Sequence, residues 1–243
     1  NGDTGDGKLP SEETLVSYVV RELAHEKDLH GKKVLVTAGP TQEAIDPVRY
    51  ITNHSTGKMG YALAEAAMLR GAEVTLISGP TAIEPPMFVN VIPIISAQEM
   101  FEKVATNATE NDIIIKAAAV ADYRPKEVCD EKIKKSDHDT EIELERTTDI
   151  LAYLGKNKGK TFLCGFSMET ENMLENSRRK LDKKNLDMIV ANNLKDKGAG
   201  FGVDTNLITI ITRDRELQLE LMSKQDAANC ILDVIIREIG NRE

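Results

Sequence analysis

The sequence predicts an α/β protein, a three-layer, doubly wound, Rossmann-like domain on a mostly parallel sheet with an antiparallel hairpin near its C-terminal end. Two observations carry this expectation. Residues 34–37 read as a buried strand, 59–70 as an amphipathic helix and 73–77 as a second strand stopped by Gly79-Pro80. That order makes a βαβ unit, and such a unit implies parallel pairing. Strand-like and helix-like stretches then alternate until residues 207–211 and 217–221, which flank Arg213-Asp214-Arg215 as a hairpin.

Taken in order, residues 1–8 are rich in glycine and aspartate and read as a fragment of something upstream. Ser11 caps a helix whose Leu15, Val19 and Leu23 recur at helical spacing. Residues 1–31 are therefore expected to be a linker with a helix, and 32–243 a single domain. After the βαβ unit come a strand at 90–94, a helix at 97–109 capped by Ser96, and a buried strand at 112–115. The stretch 125–139 is hydrophilic and is expected to be an exposed loop. Residues 141–145 alternate like a half-exposed strand, 149–154 read as a helix and 162–166 as the next strand. A long helix over about 171–183, a strand over 185–192, a glycine-rich stretch at 198–204, the hairpin, and a helix from Ser223 complete the chain.

Composition narrows the function classes. A net charge of −9 over 243 residues argues against a general nucleic-acid or anionic-membrane surface, so an anionic ligand must be held by local groups. Cys129, Cys164 and Cys230 lack C-x-x-C spacing, which points away from a zinc site and a disulfide framework and towards a reducing, cytoplasmic setting. No apolar run approaches the ~20 residues of a membrane span.

Chemistry concentrates in four stretches. Asn53-His54-Ser55-Thr56-Gly57-Lys58-Met59-Gly60 leads into a helix, and Gly57 and Gly60 would let the backbone approach an anion at its positive end. An ordinary polar cap would read the same way. Gly57-Lys58 is not a P-loop, because Met59 stands where Ser or Thr is required, and the first turn lacks G-x-G-x-x-G, although Ser78 lies where a ribose ligand is expected. Ala117-Ala118-Ala119 after a buried strand suit an open ligand groove or close helix packing equally. Lys132-Ile133-Lys134-Lys135 forms one basic island, and Lys180 and Lys184, four apart on one helix face, mark a second. His54 is alone in its loop and fits a structural role. No nucleophile elbow, zinc motif or metal-ligand cluster is recognisable, so the metal ligands stay unassigned.

Assembled in order, Val36-Thr37-Ala38-Gly39-Pro40-Thr41, Asp46-Pro47-Val48-Arg49, the 53–60 stretch, residues 117–123, Lys132-Ile133-Lys134-Lys135, Gly165-Phe166 and Lys183-Lys184-Asn185-Leu186-Asp187 resemble the bacterial, CTP-using phosphopantothenoylcysteine synthetases. The resemblance runs from Lys32 to about Arg213. It implies a ligase of coenzyme A biosynthesis that uses CTP and Mg²⁺ to join 4′-phosphopantothenate to cysteine through an acyl-cytidylate. It implies that Lys132 serves activation, that Lys180 and Lys184 hold the triphosphate, and that Asn53 binds the acyl intermediate. Ala118, Ala119, Asp122 and Phe166 would form the cytosine and ribose pocket, with Gly39, Ser55 and Gly57 also on the nucleotide and His54 and Ala119 on the substrate. It further implies a homodimer, for which the 207–221 hairpin is the expected contact, and an upstream decarboxylase whose tail resembles Gly2-Asp3-Thr4-Gly5-Asp6-Gly7-Lys8, with Asn1 at its cysteine position. Two other readings remain: an NAD(P)-dependent short-chain-type oxidoreductase and a non-catalytic nucleotide-binding domain.

Overall fold

The computed structural model describes residues 9–135, 141–169, 171–193, 200 and 202–241. The expected tail at 1–8, part of the basic loop and part of the glycine-rich stretch lie outside these residues. Helix α1 (Glu12–Leu23) starts where Ser11 accepts the amide of Thr14, as its sequence predicts, and buries none of its residues. It rests on the domain through Tyr18, edge-on to Phe88 at 4.7 Å between ring centroids. The packed core reaches back to Leu29, which is 1% exposed.

The central sheet takes its parallel core from β1 (Lys33–Ala38), β4 (Glu73–Ser78), β5 (Asn90–Pro93), β6 (Ile113–Lys116), β9 (Phe162–Glu169) and β10 (Met188–Asn193). Two small hairpins intervene, β2 (Gln42–Ala44) with β3 (Tyr50–Thr52), and β7 (Tyr123–Pro125) with β8 (Leu144–Arg146). Neither pairing is foreshadowed by strong alternation, and the strand expected at 141–145 is displaced to β8. At the far end lie β11 (Thr205–Asn206), β12 (Thr209–Thr212), β13 (Glu216–Gln218) and β14 (Met222–Ser223), with β11 paired to β14. Among the described residues the main sheet has eight strands in the order β13-β12-β10-β9-β6-β1-β4-β5. The predicted hairpin forms, but it extends the main sheet: β12 pairs antiparallel with β10, Met188 opposite Thr212. Its strands are shorter than expected because Leu219 already leaves the ladder after bonding Ile208.

Alternation along the strands sorts the core into two layers. Val34, Val36, Ile113 and Ile115 face α2 (Lys58–Leu69) and α6 (Lys224–Gly240), whereas Leu35, Ile114 and Leu163 face α3 (Ala97–Asn107), α4 (Ile150–Asn157) and α5 (Met173–Lys183). This is the expected three-layer sandwich. α2 approaches β1 so closely because Gly60 carries no side chain; a Cβ there would stand 2.5 Å from that of Ala38. The strand order places β4 and β5 on one side of β1 and β6, β9 and β10 on the other, so the chain reverses its direction of travel at β1. A ligand crevice is expected at the C-terminal ends of β1 and β6.

One buried ion pair ties the opposite end of the sheet together. Lys158 lies 2.6 Å from Asp187, their side chains only 10% and 6% exposed, and the second carboxylate oxygen accepts the amide of Leu163 at 2.8 Å. Breaking a buried pair leaves an uncompensated charge. Asp187→Asn is therefore expected to cost about 3–5 kcal/mol, read as a lower denaturation midpoint in urea; a loss within error would show that the pair is dispensable.

Candidate functional site

At the C-terminal ends of β1 and β6 two turns are bonded to each other. Thr37 Oγ1 accepts the amide of Ala118 at 3.1 Å, Gly39 O that of Ala119 at 3.0 Å, and Thr41 Oγ1 that of Ala121 at 3.0 Å. The amide of Thr41 returns to Ala119 O at 3.2 Å. Gly39 takes φ 73°, and a Cβ there would press on Gly79 O at 2.9 Å, so only glycine fits this reversal. Asn53 Nδ2 donates to Ala119 O at 2.9 Å and Thr52 Oγ1 to Thr41 O at 2.8 Å. Asn53 is thus seated on the alanine turn.

The α2 terminus faces the same place. Gly57, at φ 81°, caps the helix with no side-chain hydrogen bond to it, and its own amide donates to Ser55 Oγ at 3.3 Å. The helix therefore presents its first-turn amides and its positive end without an internal anion. Between this terminus, the alanines and Phe166 lies a cavity of about 140 Å³, closed on the far side by Asn192, Asn206 and Lys224. Ser55, Gly57, Ala118, Ala119 and Phe166 are thereby brought together, as the sequence predicts.

The cations meet around the other face of the sheet edge. Lys180 Nζ lies 3.3 Å from Glu169 Oε1 and 3.2 Å from Ser167 Oγ, and Lys184 Nζ lies 2.9 Å from Asp149 Oδ2. Asp149 also caps α4 by accepting the amide of Ala152 at 3.0 Å. Its carboxyl is lowered below the usual range against the opposing effect of burial, by Lys184 and that amide. Asp122 is exposed, with its carbonyl accepting the amide of Thr147 at 3.0 Å.

Sequence reasoning missed Lys116, the last residue of β6. It is half-buried, and desolvation, then repulsion from Lys184, pushes its ammonium down to about 8. The signal was a charged residue ending a run of three isoleucines. Asn192, 6% exposed, and Lys224, 4% exposed, were likewise unassigned, although polar residues at a strand's C-terminal end are such a signal.

Several expected residues stand apart from the cavity, Lys180, Lys184 and Asp122 among them. Lys132 is exposed and is not among the described residues that line the cavity. Its segment is moored at Ile133, whose amide donates to Asp46 Oδ2 at 3.1 Å and whose carbonyl accepts from Arg49 at 3.1 Å. Arg49 in turn holds the Asp46 carboxyl well below its usual range, aided by the amides of Val48 and Ile133. His54 is exposed in its loop. Ser78, set in the ribose-ligand position by the sequence, is 4% exposed and spends its hydroxyl on Gly79 O at 2.8 Å and Tyr61 at 3.2 Å.

Comparison with known proteins gives the family. The "Coenzyme A biosynthesis bifunctional protein CoaBC" of Bacillus subtilis (strain 168) is 50% identical over 238 residues, which are 96% of this chain and 59% of that protein. The chain thus spans about three-fifths of the length of such relatives. A crystal structure of the C-terminal domain of a CoaBC protein is 45% identical with a TM-score of 0.77, over 89% of this chain and 100% of that one. A Cab2 mutant solved in complex with phosphopantothenate-cysteine shares the fold at 17% identity, with a TM-score of 0.72 over 95% of this chain and 94% of its own. A family model matches residues 29–239, and on that match the chain belongs to the DNA/pantothenate metabolism flavoprotein C-terminal domain (DFP) family.

Proposed function

We propose that the chain is a phosphopantothenate–cysteine ligase of coenzyme A biosynthesis that activates 4′-phosphopantothenate with CTP. The observation that carries the reading is the cavity between the alanine turn at the switch point and the α2 terminus, which no side chain caps, with the carboxylate-paired Lys180 and Lys184 on the other face of the sheet. Identity of 45% to a CoaBC C-terminal domain over nearly the whole chain supports it.

The chemistry needs little from side chains beyond charge and position. A carboxylate oxygen of phosphopantothenate attacks the α-phosphorus of CTP, the bond to the β-phosphate oxygen breaks, and pyrophosphate leaves. The cysteine amine then attacks the acyl carbon, CMP leaves with the bond's electrons, and the amine's proton passes to solvent. Charge builds on the departing pyrophosphate, where Lys180 and Lys184 exchange their carboxylate partners for phosphate oxygens. Lys132, next to the moored Ile133, is the residue we assign to activation. Asn53, fixed by Ala119, directs its remaining amide groups at the acyl phosphate. Ser55, Gly39 and Gly57 shape the turn against the nucleotide, Ala118, Asp122 and Phe166 border its base and ribose, and His54 lies at the substrate entrance. Mg²⁺ supplies charge neutralisation on the phosphates. Among the described residues no three His, Cys, Asp or Glu side chains converge.

We further read the protein as a cytoplasmic homodimer that follows a decarboxylase in its parent chain, residues 1–31 being the connection; no described helix is long and apolar enough to cross a membrane. The 207–221 hairpin, expected from the sequence as the subunit contact, exposes Leu217 and Leu221, whereas Val48, Tyr50, Tyr123, Val128, Ile142 and Leu144 are exposed in and beside the two small hairpins, where we place the contact instead. The latter surface offers more apolar area.

With phosphopantothenate and cysteine both present, CTP should yield CMP and pyrophosphate in equal amounts and outcompete ATP; nucleotide binding without turnover, or NADPH binding in place of CTP, would refute the ligase reading. Asn53→Asp is expected to lower amide formation about 10²–10³-fold while CTP still binds, and Lys132→Gln to slow pyrophosphate release similarly; unchanged rates in a quenched-flow assay would remove those roles. Sedimentation equilibrium should return a dimer that Tyr50→Glu dissociates more readily than Leu217→Glu, whereas a monomeric wild type would overturn the assembly.

A further inference from the structure

Lys116 has no place in the reaction as derived so far, yet it stands among the groups that the reaction uses. It ends β6, one residue before the alanine turn, and points to the layer that holds α4 and α5. The charges that act on it are Lys184 and Lys180 on α5, Asp149 at the start of α4, and Asp122 in the loop beyond the turn. The two α5 lysines have carboxylate partners, Asp149 for Lys184 and Glu169 for Lys180. Lys116 has none at salt-bridge distance among the described residues: its ammonium meets Ala118 O at 3.4 Å. A half-buried ammonium with one long hydrogen bond, beside two further cations, is costly in the empty protein. An anion placed among all three turns that cost into attraction.

We propose that the Lys116 ammonium is a third ligand of the nucleotide's phosphate chain, with Lys180 and Lys184, and committed to no carboxylate among the described residues. The inference rests on the ligase reading and deepens it: Lys180 and Lys184 must release Glu169 and Asp149 to bind phosphate, whereas Lys116 is already available. Phosphate oxygens stabilise the charged form of Lys116, so its pKa rises on binding. Above about pH 8, where desolvation leaves part of the empty protein neutral at this position, binding must take up a proton. The sign follows: the contribution of Lys116 is full well below pH 8 and falls as pH rises through it, until the neutral amine must be reprotonated at the expense of binding.

The test is calorimetric titration with CTP and with CMP at pH 8.5, in buffers of differing ionisation enthalpy. Wild type, Lys116→Met and Lys116→Arg are compared, with circular dichroism to confirm folding. The proposal expects wild type to take up a fraction of a proton with CTP, and Lys116→Met to take up almost none and bind CTP about tenfold more weakly, CMP being less affected. Lys116→Arg should keep the affinity and lose the proton uptake, since a guanidinium stays charged. If wild type binds CTP and Lys116→Met matches it in affinity and proton uptake, this inference fails and the ligase reading stands; if wild type binds no CTP, both fall. If Lys116→Met does not fold, Lys116→Arg decides: uptake equal to wild type overturns the proposal.

Discussion

Four hydrogen bonds between the turn after β1 and the turn after β6 hold the site in being. They run from Thr37, Gly39, Thr41 and Ala119 of one turn or the other, and they lock two strands that are neighbours in the sheet but nearly eighty residues apart in sequence. The C-terminal end of a parallel pair would otherwise splay, because each strand leaves towards its own helix. Here the closure spends backbone and threonine hydroxyl groups rather than bulky side chains. Space is left over the alanines, into which α2 presents its first turn. Asn53 is then positioned by the carbonyl of Ala119, which itself belongs to the lock. A change in the lock would therefore disturb the cavity over the alanines and the seat of Asn53 together.

The electrostatic design is local. On a chain of net charge −9, the cations near the crevice are kept in check by carboxylates: Asp149 for Lys184, Glu169 for Lys180, and Asp204 for Lys58 at 2.6 Å. Such pairs are partly exposed and individually weak. A polyphosphate, carrying several charges at once, can replace the carboxylates, and the protein thereby avoids a bare positive groove that would attract nucleic acid. Arg49 is different. Bonded to Asp46 and to Ile133 O, it organises the base of the segment that carries Lys132.

How much of this was legible in the sequence follows from the range of each interaction. The layers were legible because residues 34–36 and 113–115 are unbroken apolar runs, the signal of strands buried on both faces, whose side chains the two cores then take alternately. The glycines at 57 and 60 were legible as sites of close approach, though not what Gly60 approaches, which is Ala38; Gly39 was marked only by the resemblance, and it meets the carbonyl of Gly79. The short hairpins β2–β3 and β7–β8 escaped because three-residue strands carry too few positions to show a period. Lys116 escaped because its significance is tertiary. Nothing in Ile113-Ile114-Ile115-Lys116 records that α5 will bring Lys180 and Lys184 beside it, sixty-odd residues later. Nor does the sequence around Ser78 record that its hydroxyl will meet Tyr61 of α2.

The central claim is that the crevice between these two turns holds a nucleoside triphosphate, its base towards the alanines and its phosphates towards α5. A crystal structure of the protein soaked with CTP and Mg²⁺ tests it most directly. The account predicts cytosine beside Ala118 and Phe166, with the triphosphate touching Lys180 and Lys184. Nucleotide density elsewhere on the molecule, or a triphosphate that leaves both α5 lysines on Asp149 and Glu169, would contradict it.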